Sequence, residues 1–204
     1  MKLYHAIICC PRDVRWVPWH VKHVDSRLSE KLVHRCVYFG QPLDGQPPQC
    51  SEAHHVVGAL DTYENLPVKT YCLMEHALEK KDWDVLLKTD CNAEIKSVDW
   101  DKCGRYELTG FVSTLSGVRL CHAGRVFESA LNESYGGTLP RRWVGGPAYA
   151  VSRRLAKLIV ARGVWYARSH AYEDQMISLV AEEHGIPAEQ AIVYGDADER
   201  VLAQ

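Results

Sequence analysis

The sequence predicts a single α/β domain, a central sheet with helices packed on its faces, and three observations carry that prediction. Short apolar runs bounded by Pro, Gly or polar residues alternate along the chain with segments of helical periodicity. No internal repeat and no low-complexity linker interrupts the alternation. The length of 204 residues suits one domain, taken to span 1–204.

Leu3–Cys10 is a compact apolar run stopped by Pro11, which predicts a buried first strand. Val14–Leu28 predicts a helix with Trp16, Trp19 and His23 on one side, its start blurred by Pro18. Leu32–Phe39, rich in β-branched and aromatic residues, predicts a second strand. Gln41–Gln49 has the Pro, Gly and Gln content of a loop, and His54-His55 is expected to be a polar loop edge. Asn65 is placed to cap a helix running to about Lys80, with Pro67 tolerated in its first turn and an apolar stripe of Leu66, Thr70, Leu73 and Ala77. Trp83–Thr89 predicts a short buried strand that ends abruptly in polar residues. Tyr106–Leu115 and Val118–Cys121 predict strands around Ser116-Gly117. A helix over Arg153–Arg162, capped by Ser152, turns Leu155, Leu158 and Ile159 inward. A last helix starts near Asp174, buries Ile177, Val180 and Ala181, and stops at Gly185.

Composition narrows the class. Hydrophobic residues at 47% and charged residues at 25% exclude a disordered tail, a collagen-like repeat and a membrane bundle. Lys+Arg 24 against Asp+Glu 26 gives a net charge of −2, which removes any bulk electrostatic case for nucleic acid. The apolar stretch before Pro11 is too short for a signal-peptide core, and no transmembrane segment is expected, so a soluble, cytoplasmic protein is the expectation. None of the eight cysteines forms a C-x-x-C pair, and free thiols are expected.

Sheets of this kind bind ligands at the carboxyl ends of their strands, which directs attention to the residues after Cys10 and after Thr89. Neither G-x-G-x-x-G nor G-x-x-x-x-G-K-[ST] occurs. Lys88-Thr89-Asp90-Cys91-Asn92-Ala93-Glu94 runs a strand straight into an acidic turn, which suits a divalent ion bridging two phosphates. An Asx turn that merely ends the strand accounts for the same spacing. Trp143-Val144-Gly145-Gly146-Pro147-Ala148-Tyr149 pairs two glycines before a strand-to-helix turn, where a backbone can approach a ligand or simply reverse. Tyr172-Glu173-Asp174-Gln175 opens a helix, where carboxylates are stabilised by the dipole with or without a ligand.

Taken in order, these motifs resemble the family 31 glycosyltransferases, the β-1,3-galactosyltransferase and Fringe-type proteins. Asp61–Thr70 is similar to that family's D-x-Y-x-N-L-x-x-K-T stretch, and Val85–Asp90 to the strand entering its K-T-D-D-D metal motif. Gly145–Ser152 is similar to its G-G-x-x-Y-x-x-S segment, and Glu173-Asp174 to its E-D-V helix, which ends in a similar Gly-Ile. The matches span roughly residues 56–187. The resemblance implies a GT-A-type, Rossmann-like domain with a mixed central sheet, a nucleotide-sugar donor (most often a UDP-sugar) and a carbohydrate acceptor. It implies inverting transfer with Asp174 as general base, because an acceptor hydroxyl must lose its proton as it attacks. Asp90 and Asn92 would meet the diphosphate through Mn²⁺ or Mg²⁺, with Arg12, Arg15 and Lys88 as cationic helpers. Trp143, Gly145, Gly146, Tyr149 and Glu173 would face acceptor or sugar, Trp143 and Tyr149 as a platform.

Two departures bear on that expectation. The third position of the acidic motif is Asn92, an uncharged amide, and no histidine follows the last helix; Asp196 or Asp198 is the substitute ligand the tail offers. A catalytically silent sugar- or nucleotide-binding relative is therefore the alternative. A nucleotidyltransferase would need a further carboxylate cluster, and none occurs in the sequence. Asp61 and Lys69 are expected to fix sheet-to-helix geometry.

Overall fold

The computed structural model describes residues 1–28, 31–41, 50, 52–114 and 137–198. They form a Rossmann-like α/β domain built on a mixed seven-stranded sheet. In chain order the strands are β1 (Leu3–Ile8), β2 (Leu32–Gln41), β3 (His54–Leu60), β4 (Val85–Asp90), β5 (Ala93–Val98), β6 (Leu108–Thr114), β7 (Arg142–Ser152), β8 (Ala188–Gln190) and β9 (Ile192–Asp196). The helices are α1 (Val17–Leu28), α2 (Leu66–Glu79), α3 (Trp100–Arg105), α4 (Arg153–Ala161), α5 (Val164–Arg168) and α6 (Glu173–Glu183). The sheet runs β3-β2-β1-β4-β7-β6-β8, and β5 pairs separately with β9. Strands β3, β2, β1 and β4 are parallel, β7 is antiparallel to both neighbours, and β8 is parallel to β6.

The central strands are covered on both faces, which is why all six residues of β1 are buried and its sequence is apolar apart from His5. Alternation along β4 divides the core. Leu86 joins the cluster under α2, α4 and α6, with Tyr4, Leu73, Met74, Leu155 and Ile177. Leu87 joins the cluster under α1, with Val24, Leu28 and Ile95. Lys88 therefore projects toward α6 and Thr89 toward α1, a division on which the site depends.

Most expected elements lie within two or three residues of their observed bounds. The Ser152 hydroxyl caps α4 by accepting from the Leu155 N–H at 3.0 Å, and Gly185 ends α6 in the left-handed region at φ +66°. Asn65 occupies the cap position of α2, but its amide donates to the Thr62 hydroxyl instead of capping. The expected helix over Val14–Leu28 divides into a 3-10 turn, Pro11–Trp16, and α1, because Pro11 sets the turn's first residue. His54-His55 is not a loop edge: it opens β3, with His54 opposite Val37 and His55 opposite Tyr38. The expected strand Val118–Cys121 and most of the loop Gln41–Gln49 lie outside the described residues; Gln41 itself ends β2.

Gly145 and Gly146 sit within β7, ahead of the strand-to-helix turn into α4 as expected, and they make no tight turn of their own. Gly110 of β6 faces Tyr149 and Val112 faces Val144, so four residues of β7, 145–148, stand opposite the single residue Phe111. Gly110 is where the strands close in again: a Cβ there would lie 2.9 Å from Val144. Such a wide bulge re-aims backbone groups without disturbing the ladder on either side. Beyond it, Ala148 to Ser152 pair with Thr89 to Val85 in regular antiparallel register.

Candidate functional site

The site forms at the carboxyl end of β4, around a lysine with no solvent exposure. A buried ammonium is tolerable only if its donors are satisfied. The Lys88 Nζ donates to Asp90 Oδ1 at 2.7 Å, to the Gly146 carbonyl at 2.6 Å and to Glu173 Oε1 at 3.4 Å, using all three hydrogens. It also lies 5.4 Å from the centre of the Tyr149 ring. Three elements thus converge on one cation: Asp90 from β4 itself, Gly146 from the bulge, and Glu173 from the first turn of α6.

Local physics explains each placement. Asp90 stands two residues after Lys88 and shares its face of the sheet. Gly146 lets Glu173 approach closely, since a Cβ there would lie 2.8 Å from Glu173 Oε1 and the carboxylate would have to shift. Gly145 lets the Tyr194 hydroxyl approach in the same way, since a Cβ there would collide with it. Glu173 and Asp174 are buried at the start of α6, where its dipole stabilises them, and Asp174 Oδ1 accepts from the Gln175 N–H at 2.8 Å.

Asp90, Glu173 and Asp174 stand with Lys88 at the same sheet edge, and the Lys69 ammonium also acts on Asp90. Burial alone would lower the Lys88 pKa, but Asp90 and Glu173 outweigh it and hold the ammonium above its ordinary value. Burial raises the Asp90 pKa, with Lys88 pulling the other way and Glu173 adding to the rise. Asp90 nonetheless keeps 32% of its side chain open to solvent, whereas Glu173 keeps 5%. One Asp90 oxygen is held by Lys88 and the group still opens outward.

Beside this cluster Lys69 and Asp61 make a separate buried ion pair between α2 and the end of β3, as expected of a geometry-fixing pair. Gly40 allows that approach, since a Cβ there would lie 2.6 Å from the Asp61 Cα. Tyr194 of β9 closes another side, its pKa pushed up to about 12 by burial and then by Asp174.

Several expected site residues are placed differently. Lys88 is wholly enclosed and its donors are spent on protein, so it organises the carboxylates instead of reaching a diphosphate. Tyr149 is fully buried beneath Lys88 and cannot serve as a platform. Trp143 is only partly buried, opposite Ser113. Arg12 and Arg15 are exposed in the 3-10 turn after β1; Arg12 pairs with Asp13 at 3.6 Å, and the Arg15 guanidinium lies 5.9 Å from the Trp16 ring centre. Asn92 and Asp196 are both exposed at one end of the β5–β9 ladder, where Ala93 faces Asp196 and the Ala197 N–H donates to the Asn92 carbonyl. Among the described residues no three His, Cys, Asp or Glu side chains gather as a cation cage. The seven described cysteines are free thiols, and no described helix is long and apolar enough to cross a membrane.

Sequence reasoning missed Tyr194 and Phe111, whose rings meet edge to face at 5.9 Å. The run Ile192-Val193-Tyr194 before Gly195 carries the β-branched and aromatic signal of a strand; nothing in it announces a return to β5. It also missed a neutral chain on the opposite face. Arg35 Nε can only donate, so His5 Nδ1 accepts from it at 3.2 Å and His5 carries its proton on Nε2. That Nε2–H donates to Thr89 Oγ1 at 3.0 Å, and the Thr89 hydroxyl donates to His20 Nε2 at 2.7 Å. His20 then donates from Nδ1 to the Ala93 carbonyl at 3.1 Å. Burial pushes the His5 pKa well down and brings that of His20 to about 3, so both rings stay neutral.

No protein-family model matches the chain, and no curated protein matches it at a significant level.

Proposed function

We propose that the chain is a glycosyltransferase that moves a sugar from a nucleotide-sugar donor, a UDP-sugar first, to a carbohydrate hydroxyl with inversion. The observation that carries this reading is the meeting of three motifs, separated by some 85 positions from Lys88 to Glu173, around one buried ammonium. Asp174 is the general base, taking the acceptor proton as the hydroxyl attacks the anomeric carbon. Glu173, held by Lys88, fixes the helix start that presents Asp174. Asp90, open to solvent at the strand end, faces the leaving diphosphate.

A resident metal ion does not suit these residues, because among the described residues no three His, Cys, Asp or Glu side chains gather to hold one. They suit a Mg²⁺ or Mn²⁺ ion carried in on the diphosphate, for which one or two carboxylates suffice. Such an ion would neutralise charge on the leaving group; Arg12 and Arg15, at the end of β1, are the protein's own cations there. Asn92 favours a second reading, a silent nucleotide- or sugar-binding relative of the same fold.

Calorimetric titration with UDP, GDP and CMP, each with and without Mn²⁺, tests the donor. UDP binding strengthened by Mn²⁺ is expected, and no binding of any nucleotide would sink the proposal. Asp174→Asn separates the two readings. A transferase loses about 10²- to 10⁴-fold in turnover and keeps UDP affinity, whereas a silent relative has no turnover to lose. The substitution keeps an oxygen that can accept from the Gln175 N–H, and circular dichroism checks that the variant is folded.

A further inference from the structure

We infer that α4 and α5 form a docking surface for an anionic lipid bilayer, with Trp165 as its interfacial anchor. The inference stands apart from the proposed transfer, since neither helix carries a residue assigned to the donor, the acceptor or the base.

Charge is spread unevenly along this chain. Its net charge is −2, yet residues 137–172 hold seven Lys or Arg and no Asp or Glu. Five of these cations stand on α4, its C-cap and α5: Arg153, Arg154, Lys157, Arg162 and Arg168. Neighbouring elements answer part of that charge. Glu107 pairs with Arg154, and Glu183 of α6 pairs with Arg162. Arg153 turns inward, its guanidinium 4.7 Å from the Trp83 ring centre and donating to the Lys80 and Leu78 carbonyls. Lys157 and Arg168 are exposed and pair with no carboxylate among the described residues. On α4 the core takes Leu155, Ala156 and Ile159, which leaves Arg154 and Lys157, three apart, on the outer side.

Trp165 is 75% exposed, the most exposed of the large hydrophobic side chains among the described residues. Arg168, three residues on, lies 4.8 Å from its ring centre. Arg162 lies 5.5 Å from the ring centre of Tyr166, which ties the end of α4 to α5. The pairing of an open indole with a guanidinium has the two halves of an interfacial anchor. The ring suits the boundary between headgroups and acyl chains, and the cations suit lipid phosphate.

A bilayer fits this distribution better than a nucleic acid. A long polyanion passing over the face would also meet the acidic remainder of the chain. A bilayer meets one face alone, and charges farther away than the screening length of about 8 Å act on it weakly. Topology adds a consequence. Helix α4 starts from Ser152, opposite Val85 at the beginning of β4, whereas Glu173 opens α6 beside Lys88 near the end of β4. The chain of α4 and α5 therefore leads toward the carboxyl end of β4, and docking brings that end toward the lipid.

The test is flotation of the full chain with vesicles of phosphatidylcholine, alone or with about one-third phosphatidylserine, at low and high salt. The proteins are wild type, Trp165→Ala and the double variant Lys157→Glu/Arg168→Glu. We expect wild type to bind the phosphatidylserine vesicles, and to bind about tenfold more weakly at high salt or to phosphatidylcholine alone. Trp165→Ala should lose about fivefold. The double variant should lose about twenty-fivefold, because each basic side chain near an anionic surface contributes about a factor of five. All three positions are exposed, and circular dichroism checks that the variants are folded. Equal binding to both vesicle types, binding to neither, or unchanged binding by Trp165→Ala overturns the surface. Capture of duplex DNA in place of vesicles, lost in the double variant, also overturns it and reassigns the face to nucleic acid. UDP titration of the same proteins keeps the two proposals apart. Vesicle binding in a protein that binds no nucleotide leaves the surface standing without the transferase, and UDP binding in a protein that ignores vesicles does the reverse.

Discussion

Lys88 and Thr89 are neighbours in β4, yet they serve two polar networks of opposite character on the two faces of the sheet. On the α1 face, Thr89 sits in the middle of three neutral side chains, His5, Thr89 and His20, whose links all have partners between Arg35 and the Ala93 carbonyl. On the α6 face, Lys88 gathers carboxylates that outnumber it, and the outermost, Asp90, opens to solvent. A closed chain of hydrogen bonds has nothing left to offer a ligand and holds strands in place. A cluster whose outermost carboxylate opens to solvent keeps a group that a ligand can reach. The contrast separates an enclosed network from one with an open end.

The strongest way to break the contrast is Lys88→Met, which leaves Asp90 and Glu173 buried without their cation. A cost of about 3–5 kcal/mol is expected in chemical denaturation at pH 7. The sign with pH is diagnostic: uncompensated carboxyls can shed their charge by taking protons, so the variant should recover stability as pH falls toward 5. Gly146→Ala tests the bulge; its Cβ must push Glu173 off Lys88, with an expected loss of about 1–3 kcal/mol and weaker UDP binding. A UDP affinity that stays unchanged would separate the bulge from the site.

On the other face, His20→Leu removes the acceptor for the Thr89 hydroxyl and the donor to Ala93, at an expected cost of about 1–3 kcal/mol. UDP affinity per folded molecule should change far less than with Gly146→Ala. The same histidine gives an acid signature in the wild-type protein. Its folded pKa lies below its unfolded value of about 6.5, so the unfolded state binds the extra proton between pH 6.5 and 3. Stability therefore falls as pH drops through that window, by about 2 kcal/mol at pH 5 from His20 alone, and His20→Leu should flatten the slope. Nitrogen-15 NMR should find the His5 proton on Nε2 and the His20 proton on Nδ1. A smaller effect closes the series: Asp196→Asn, on an exposed strand end, should move stability by less than about 0.5 kcal/mol.

The helices and central strands were legible because burial on both faces of β1 and β4 leaves compact, largely apolar runs before their polar ends, and because Ser152 and Gly185 punctuate α4 and α6. The acid turn and the α6 carboxylates were legible as candidates for the same reason: they interrupt such runs abruptly. What composition and spacing do not encode is pairing over long separations. Ala93 meets Asp196 across a hundred positions, and that register, not any local pattern, brings Tyr194 to Gly145. Lys88 reads as a cationic helper at the strand end because a lone lysine before an aspartate gives no hint that Glu173 and the Gly146 carbonyl will enclose it. Tyr149 looked available because a strand's inward and outward positions cannot be told apart across a bulge.

That bulge bears on how such a site could be altered over generations. The register of β7 with β4 is set by Ala148 to Ser152 and resumes against β6 at Val144, so the intervening chain carries no ladder of its own. Changes of length between Gly146 and Ala148 would shift what is offered to Lys88 and Tyr194 while leaving the sheet's alignment alone. A stretch so insulated is a natural place for specificity to diverge between descendants of one scaffold.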